Sequence, residues 1–121
     1  AKPKDHGAPR DRFFVGAPKG KVVVIEDVTT TGGSLITTLE FLRETGIAVS
    51  AVLSLTNRME RRDDGRTVKE AVEQLGVPFR NMSSALEVLP RIYRQDNPSA
   101  AVGKAIEAEF AAYGVAPLKL V

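Results

Sequence analysis

The chain has 121 residues, of which 43% are hydrophobic and 26% charged, and its formal net charge is +2. This length and composition fit one globular domain and exclude a collagen-like or disordered chain. The lack of cysteine excludes a disulfide framework and a thiolate metal site, and it fits the cytoplasm. The longest fully apolar run, Val22 to Ile25, is far shorter than the roughly twenty residues that cross a bilayer, so no membrane partner is expected.

Positive charge is concentrated at the start of the sequence. Residues 1–21 hold six Lys and Arg against two Asp, whereas the rest of the chain is slightly acidic. A nucleic-acid-binding surface usually combines its cations with stacking aromatic side chains, and only 6% of this chain is aromatic. We therefore expect a compact anion as the ligand and no nucleic acid.

The first elements expected in chain order are a loop, a short strand at Phe13-Phe14-Val15, a turn over residues 17–20, and then a strand, a helix and a further strand. Residues 1–12 predict a mobile loop. The β-branched run that follows has no polar alternation, which is typical of a central strand buried on both faces of a parallel sheet. Leucines then recur at helical spacing before a second β-rich run, so residues 21–55 predict a strand, helix, strand unit. The expected bounds are Lys21–Ile25, Ser34–Thr45 and Ile47–Leu55.

The second half repeats the alternation of helix and strand. Ser84 and Glu87 have the spacing of a capping box, and Asn97-Pro98 is typical of a helix start, so a last helix is expected over residues 98–114. The whole chain, residues 1–121, predicts a single α/β domain with a mainly parallel sheet flanked by helices. The other expected bounds are Arg66–Leu75 for a helix, Val77–Met82 for a strand and Ser84 to about Tyr93 for a helix.

Candidate binding residues follow the first strand, where open parallel sheets bind their ligands. Glycine N–H groups and threonine hydroxyls at a helix start can surround a phosphate. Two adjacent carboxylates would repel that phosphate and suit a vicinal diol, so the segment favours a sugar phosphate. The alternative is a plain helix cap with solvated acids. The candidates are Glu26, Asp27, Thr29, Thr30, Thr31, Gly32, Gly33 and Ser34.

The segment from Val22 to Ser34 resembles the phosphoribosyl pyrophosphate motif of the type I phosphoribosyltransferases. Within that group, Lys4-Asp5-His6-Gly7 resembles the mobile catalytic loop of orotate phosphoribosyltransferases. Ser54-Leu55-Thr56-Asn57-Arg58 resembles the strand end that carries their orotate-binding arginine. The chain thus resembles the carboxyl-terminal portion of these enzymes, and a type I fold that is incomplete at its amino terminus is expected.

The resemblance implies a role for each matched residue. Glu26 and Asp27 would hold the ribose hydroxyls, the Thr29 to Ser34 loop would hold the 5-phosphate, and Arg58 with Thr30 would face the pyrimidine. Lys4 and His6 would close over the pyrophosphate from the neighbouring subunit of a dimer. The implied catalytic residues are Lys4, His6 and Asp27. Mg²⁺ would be held mainly by the substrate rather than by a direct protein site.

The implied function is transfer of phosphoribosyl from phosphoribosyl pyrophosphate to orotate, which gives orotidine 5-phosphate and pyrophosphate. The alternative is a non-catalytic phosphoribosyl pyrophosphate-binding module with a regulatory or scaffold role. A purine acceptor is a weaker third option because of Arg58. Taken alone, Arg58 could be an exposed loop charge and His6 a solvated loop histidine. We also expect a homodimer or an amino-terminal companion fragment, without which the 121 residues would bind weakly and not turn over.

Overall fold

A computed structural model of the chain describes residues 18–121, and the predicted loop over residues 1–12, with Lys4 and His6, and the predicted short strand over residues 13–15 lie outside them. The described part contains every element expected from residue 21 onward, and none of its helices is long and apolar enough to cross a membrane. The bounds are β1 Val22–Thr29, α1 Gly33–Glu44, β2 Val49–Asn57, α2 Val68–Glu73, β3 Phe79–Ser84, α3 Ala85–Asp96 and α4 Ala100–Tyr113.

The three strands form one parallel sheet in the order β1-β2-β3. Each strand extends further along the chain than the sequence predicted. Polar residues that were expected in loops still pair with the neighbouring strand. Glu26 pairs with Ser54, and Thr29 pairs with Asn57. The carboxyl ends of the strands therefore lie together at one edge of the sheet, where ligands of such sheets bind.

Helices α1 and α2 cover the same face of the sheet and form the core with it. Each helix connects two adjacent parallel strands, and crossovers of one hand between strands in sequential order place both helices on one side. The leucines predicted for α1 are buried at their helical spacing. The buried apolar cluster consists of Leu35, Leu39, Val52, Val68, Val72 and Phe79.

The opposite face of the sheet carries apolar side chains that the described residues leave exposed. Val23 and Ile25 of β1 are 53% and 66% exposed, and Met82 of β3 is also exposed. Within residues 18–121 the central strand is β2, so the expectation that β1 is central and buried on both faces is wrong there. A β-branched run specifies a strand, but the elements that cover its two faces decide its burial.

Helix α3 begins after Ser84 as predicted but without the predicted capping box, and the start of α4 differs from its prediction. The Ser84 hydroxyl lies 3.3 Å from Glu87 Oε1 and makes no hydrogen bond to the α3 backbone, so the capping box does not form. Asn97 adopts a left-handed conformation that ends α3, and Ser99 is the N-cap of α4. The last helix therefore spans Ala100–Tyr113 rather than residues 98–114, because Asn97 tolerates the left-handed conformation that ends a helix.

Truncation of the central core side chain tests the packing. Phe79 is 1% exposed, so we expect Phe79→Ala to lower the free energy of unfolding by about 3–5 kcal/mol. Met82→Ala on the same strand is the matched control, because Met82 is 70% exposed and should change stability by less than about 0.5 kcal/mol. Urea denaturation of both variants measures the difference. Equal losses would mean that Phe79 is not part of the core.

Candidate functional site

A pocket of about 210 Å³ lies at the turn between β1 and α1. The turn residues form its walls and Glu26 stands at its strand side, so the structure brings most of the predicted phosphate and ribose residues together. Thr30 is half-buried, whereas Thr31 and Ser34 are exposed and open to a ligand. The residues that line the pocket are Glu26, Val28, Thr29, Thr30, Thr31, Gly32, Gly33, Ser34 and Leu35.

The amino terminus of α1 is the electropositive side of this pocket. Its N-cap residue, Gly32, has φ of 73° and provides no side-chain hydrogen bond to the first turn. By contrast, α2 has a complete capping box, in which the Thr67 hydroxyl accepts from the Glu70 N–H and the Glu70 carboxylate accepts from the Thr67 N–H. First-turn N–H groups without a side-chain cap favour an anion, because the helix dipole adds to their partial charge.

The two adjacent carboxylates have different surroundings. Burial, and then the nearby charge of Asp27, raise the pKa of Glu26 above its ordinary value. Asp27 is exposed, and its Oδ1 accepts a hydrogen bond of 2.7 Å from the N–H of Val28. Glu26 lines the pocket and Asp27 is not among the lining residues, so Glu26 is the carboxylate closer to a ligand in the turn.

Thr29 has a structural contact in addition to its place in the pocket wall. Its side chain is 2% exposed, and its hydroxyl donates a hydrogen bond of 2.7 Å to the Ser54 hydroxyl on β2. Ser54 in turn donates to the carbonyl of Thr56. The Thr29 hydroxyl therefore ties the end of β1 to β2, and Thr30, Thr31 and Ser34 present the more accessible hydroxyls.

Arg58 lies in the loop after β2, directly beside the turn of residues 30–34 between β1 and α1, which is called the phosphate turn after its predicted ligand. Its backbone N–H donates to the carbonyl of Thr29 at 2.9 Å, which holds the two loop starts together. Its guanidinium Nη2 lies 2.9 Å from Glu60 Oε1, and its side chain is half exposed. The arginine lines a second, mainly apolar pocket of about 270 Å³ with Thr56, Glu60, Ala85, Val88, Leu89, Glu109 and Phe110.

Sequence reasoning missed two residues at this edge of the sheet. Glu60 is mostly buried and pairs with the candidate arginine, and Arg62 donates to the carbonyl of Thr31 in the phosphate turn. Both belong to a charged loop that reads as solvated. The only feature of the sequence that could have indicated the ion pair is the spacing of Arg58 and Glu60, two positions apart after a strand. That spacing alone specifies no partner.

The chain is similar in sequence to known proteins. No family model matches the chain. An orotate phosphoribosyltransferase of Rhodopseudomonas palustris is 41% identical over 96 residues, which are 74% of this chain and 47% of the relative. One of Bordetella bronchiseptica is 35% identical over 119 residues, which are 93% of this chain and 52% of the relative. The chain thus spans about half the length of the curated relatives it matches.

The solved structures define the class of the fold. The crystal structure of orotate phosphoribosyltransferase from Aeropyrum pernix superposes with a TM-score of 0.53 at 33% sequence identity, and the match covers 63% of this chain and 40% of that one. The parallel sheet with its flanking helices and its pocket at the first strand end is a type I phosphoribosyltransferase fold. Within that class, the resemblance to orotate phosphoribosyltransferases is confirmed in both sequence and structure.

Glycine at position 32 is required by both conformation and space. A Cβ there would adopt φ of 73° and lie 3.0 Å from Val68 Cγ1. We expect Gly32→Ala to lower the free energy of unfolding by about 1–3 kcal/mol. Gly33→Ala is the control, because a Cβ at Gly33 meets nothing within 4 Å and alanine favours a helix. Thermal unfolding compares the two variants, and an unaffected Gly32→Ala would contradict this description of the turn.

The raised pKa of Glu26 gives a prediction with a defined sign. The native state binds the proton of the Glu26 carboxyl more tightly than the unfolded state does, so the contribution of Glu26 to stability is greatest at low pH. It is lost as pH rises through the raised pKa. We expect Asp27→Asn to lower the Glu26 pKa without restoring its ordinary value, because burial is the larger cause. Carbon NMR of the Glu26 carboxyl measures its titration in the unsubstituted chain and in Asp27→Asn. An unchanged Glu26 pKa would exclude coupling to Asp27.

Proposed function

We propose that this chain carries the phosphoribosyl pyrophosphate and orotate subsites of an orotate phosphoribosyltransferase. The reaction would transfer phosphoribosyl to orotate and release pyrophosphate, in the synthesis of pyrimidine nucleotides. The observation that carries the proposal is the contact between the two loops, where the N–H of Arg58 donates to the carbonyl of Thr29. Curated relatives at 35–41% identity that are named for this activity support it.

The phosphate turn would bind the 5-phosphate of the ribose. Thr30, Thr31 and Ser34 offer hydroxyl donors, and the uncapped start of α1 offers backbone N–H groups. Phosphate oxygens accept several hydrogen bonds at once, so this combination of donors suits a phosphate monoester. The ribose would then extend along the end of β1 toward Glu26.

The carboxylates would act on the ribose. Glu26, supported by Asp27, would accept hydrogen bonds from the ribose hydroxyls. Breaking the bond between C1 and the pyrophosphate oxygen develops positive charge on the sugar ring. A fixed carboxylate near that ring stabilises the charge as it forms, which lowers the barrier electrostatically. The partial burial of Glu26 strengthens this interaction because water screens it less.

Arg58 would bind the acceptor base. Its guanidinium is planar and offers two parallel donors to a carboxylate such as that of orotate. Glu60 already contacts one nitrogen of this guanidinium and restricts its orientation. The half-exposed remainder of the fork is accessible from the second pocket, where Thr56 adds a hydroxyl beside the apolar wall.

Magnesium fits the same arrangement. Mg²⁺ keeps several waters and binds substrate phosphates together with at most one or two carboxylates, and Glu26 is the carboxylate that lines the pocket. We propose that the ion is bound mainly through pyrophosphate oxygens and supplies compensation for the negative charge of the leaving group. The closure of Lys4 and His6 over the pyrophosphate and assembly as a homodimer in the cytoplasm are proposals that rest on the family resemblance.

The test is orotate-dependent release of pyrophosphate from phosphoribosyl pyrophosphate and Mg²⁺, with calorimetric titration of each substrate. Binding of both substrates supports the proposal, and turnover is expected only when a homodimer or an amino-terminal companion fragment completes the site. Binding of phosphoribosyl pyrophosphate without any affinity for orotate would support the non-catalytic module instead. No binding of either substrate would refute both functions.

A substitution at Arg58 tests the assignment of the base. Arg58→Lys keeps the charge and loses the planar fork, so we expect orotate affinity to fall about tenfold, as expected for loss of one charge-assisted hydrogen bond. Affinity for phosphoribosyl pyrophosphate should change little. Arg91→Lys on the exposed surface of α3 is the matched control and should leave both affinities unchanged. A parallel loss of both affinities in Arg58→Lys would contradict the assignment.

A further inference from the structure

The phosphate turn lacks a positive side chain of its own. Of the described residues that line its pocket, Glu26 is the only ionisable one, and it is acidic. A phosphate dianion bound there would meet backbone N–H groups and hydroxyls, with a carboxylate nearby. A cation close to the turn would therefore matter to affinity, because attraction between opposite charges increases as the distance and the effective dielectric constant fall.

Arg62 is a cation that contacts this turn from outside the pocket. Its Nη1 donates a hydrogen bond to the carbonyl oxygen of Thr31, across 31 positions of sequence. The same nitrogen lies 3.6 Å from the position that a Cβ on Gly32 would occupy. The Arg62 side chain is 19% exposed, whereas Thr31 is exposed, so the contact lies at the surface edge of the turn.

The loop that carries Arg62 is itself held in place. The N–H of Arg62 donates to the carbonyl of Arg66, and the N–H of Gly65 donates to the carbonyl of Arg62, both at 2.9 Å. Asp64 accepts three hydrogen bonds from Arg66, which lower the pKa of Asp64 to about 2. These contacts hold the backbone of Arg62 in place, which restricts the positions that its guanidinium can take beside Thr31.

The charge of Arg62 is only partly compensated. Its Nε makes no hydrogen bond to the described residues and lies 3.9 Å from Asp64 Oδ2. That carboxylate oxygen is already paired with Arg66 Nη2 at 2.6 Å. Positive potential from Arg62 therefore extends toward the phosphate turn.

The contact with Thr31 also fixes the direction of a peptide group. In a trans peptide the carbonyl and the following N–H point in opposite directions. A guanidinium that holds the Thr31 carbonyl on its own side consequently directs the Gly32 N–H to the other side. Thr31 and Gly32 line the pocket and Arg62 does not, so the side of this peptide opposite Arg62 is the pocket side, where a bound phosphate could accept the Gly32 N–H.

We infer that Arg62 is a positioning residue for phosphate binding, which orients the peptide between Thr31 and Gly32 and supplies positive charge behind the turn. This inference rests on the proposed function of the turn and assigns its charge compensation to the loop after β2. It also makes the phosphate and base subsites share one loop, because Arg58 and Arg62 lie four positions apart.

The test uses ribose 5-phosphate as the probe, titrated calorimetrically into the full chain. We expect Arg62→Met to weaken binding about ten- to hundredfold, because the phosphate loses the attraction of one nearby unit charge and the orientation of the Gly32 N–H that would donate to it. Arg62→Lys keeps the charge and one donor and should be about three- to tenfold weaker than the unsubstituted protein. Arg61→Met is the matched control, because Arg61 donates to the carbonyls of Gly65 and Val115 rather than to the turn, and it should bind within about twofold.

The amide resonance of Gly32, followed by NMR as ribose 5-phosphate is added, supplies a readout that a purely stabilising role would not change. In Arg62→Met we expect the shift of this resonance at saturating ribose 5-phosphate to be smaller than in the unsubstituted chain, with unchanged resonances in β2. Unaltered affinity and an unaltered Gly32 shift in Arg62→Met would overturn the inference and leave the proposed function standing. Failure of the unsubstituted chain to bind ribose 5-phosphate would instead refute the proposed function and this inference with it. If Arg62→Met does not fold, full affinity in Arg62→Lys would count against the inference.

Discussion

The parallel pairing of β1 with β2 is the constraint on which the site depends. Its register sets Thr29 opposite Asn57, so both strands end at the same level and their loops leave the sheet side by side. The backbone bond from Arg58 to Thr29 and the hydroxyl contact from Thr29 to Ser54 extend the pairing to the last residue. A phosphate turn and a candidate base-binding loop, distant in sequence, become neighbours because the strands are in register.

The helices that follow β1 and β2 have different roles at the carboxyl edge of the sheet. The Thr67 and Glu70 side chains cap the first turn of α2, and Val68 at its start lies 3.0 Å from the position that a Cβ on Gly32 would occupy. The first turn of α1 has no side-chain cap and faces the pocket. One helix thus supports the turn while the other presents N–H groups to a ligand. Because α2 packs against Gly32, that support reaches the backbone of the phosphate turn directly.

Much of the fold and the phosphate turn can be predicted from local sequence. β-branched runs specify the strands, leucines at helical spacing specify α1, and the segment from Glu26 to Ser34 is contiguous, so its residues must lie together whatever the surrounding fold. The errors occur where local signals compete. Asn97 is a good N-cap and also tolerates the left-handed conformation, and in the structure it ends α3 instead of starting α4. Ser84 is the N-cap of α3 as predicted, but its hydroxyl contacts the Glu87 carboxylate instead of a backbone N–H.

The sequence by itself determined the order of the elements and the donors of the phosphate turn, because both follow from residues close in the chain. The tertiary structure alone decided that β2 is the central strand of residues 18–121, that Glu26 rather than Asp27 lines the pocket, and that Arg62 reaches Thr31. These features depend on strand register and on contacts between residues far apart in sequence. Local propensities do not encode such contacts, because a side chain meets a distant partner only after the sheet has brought their loops together.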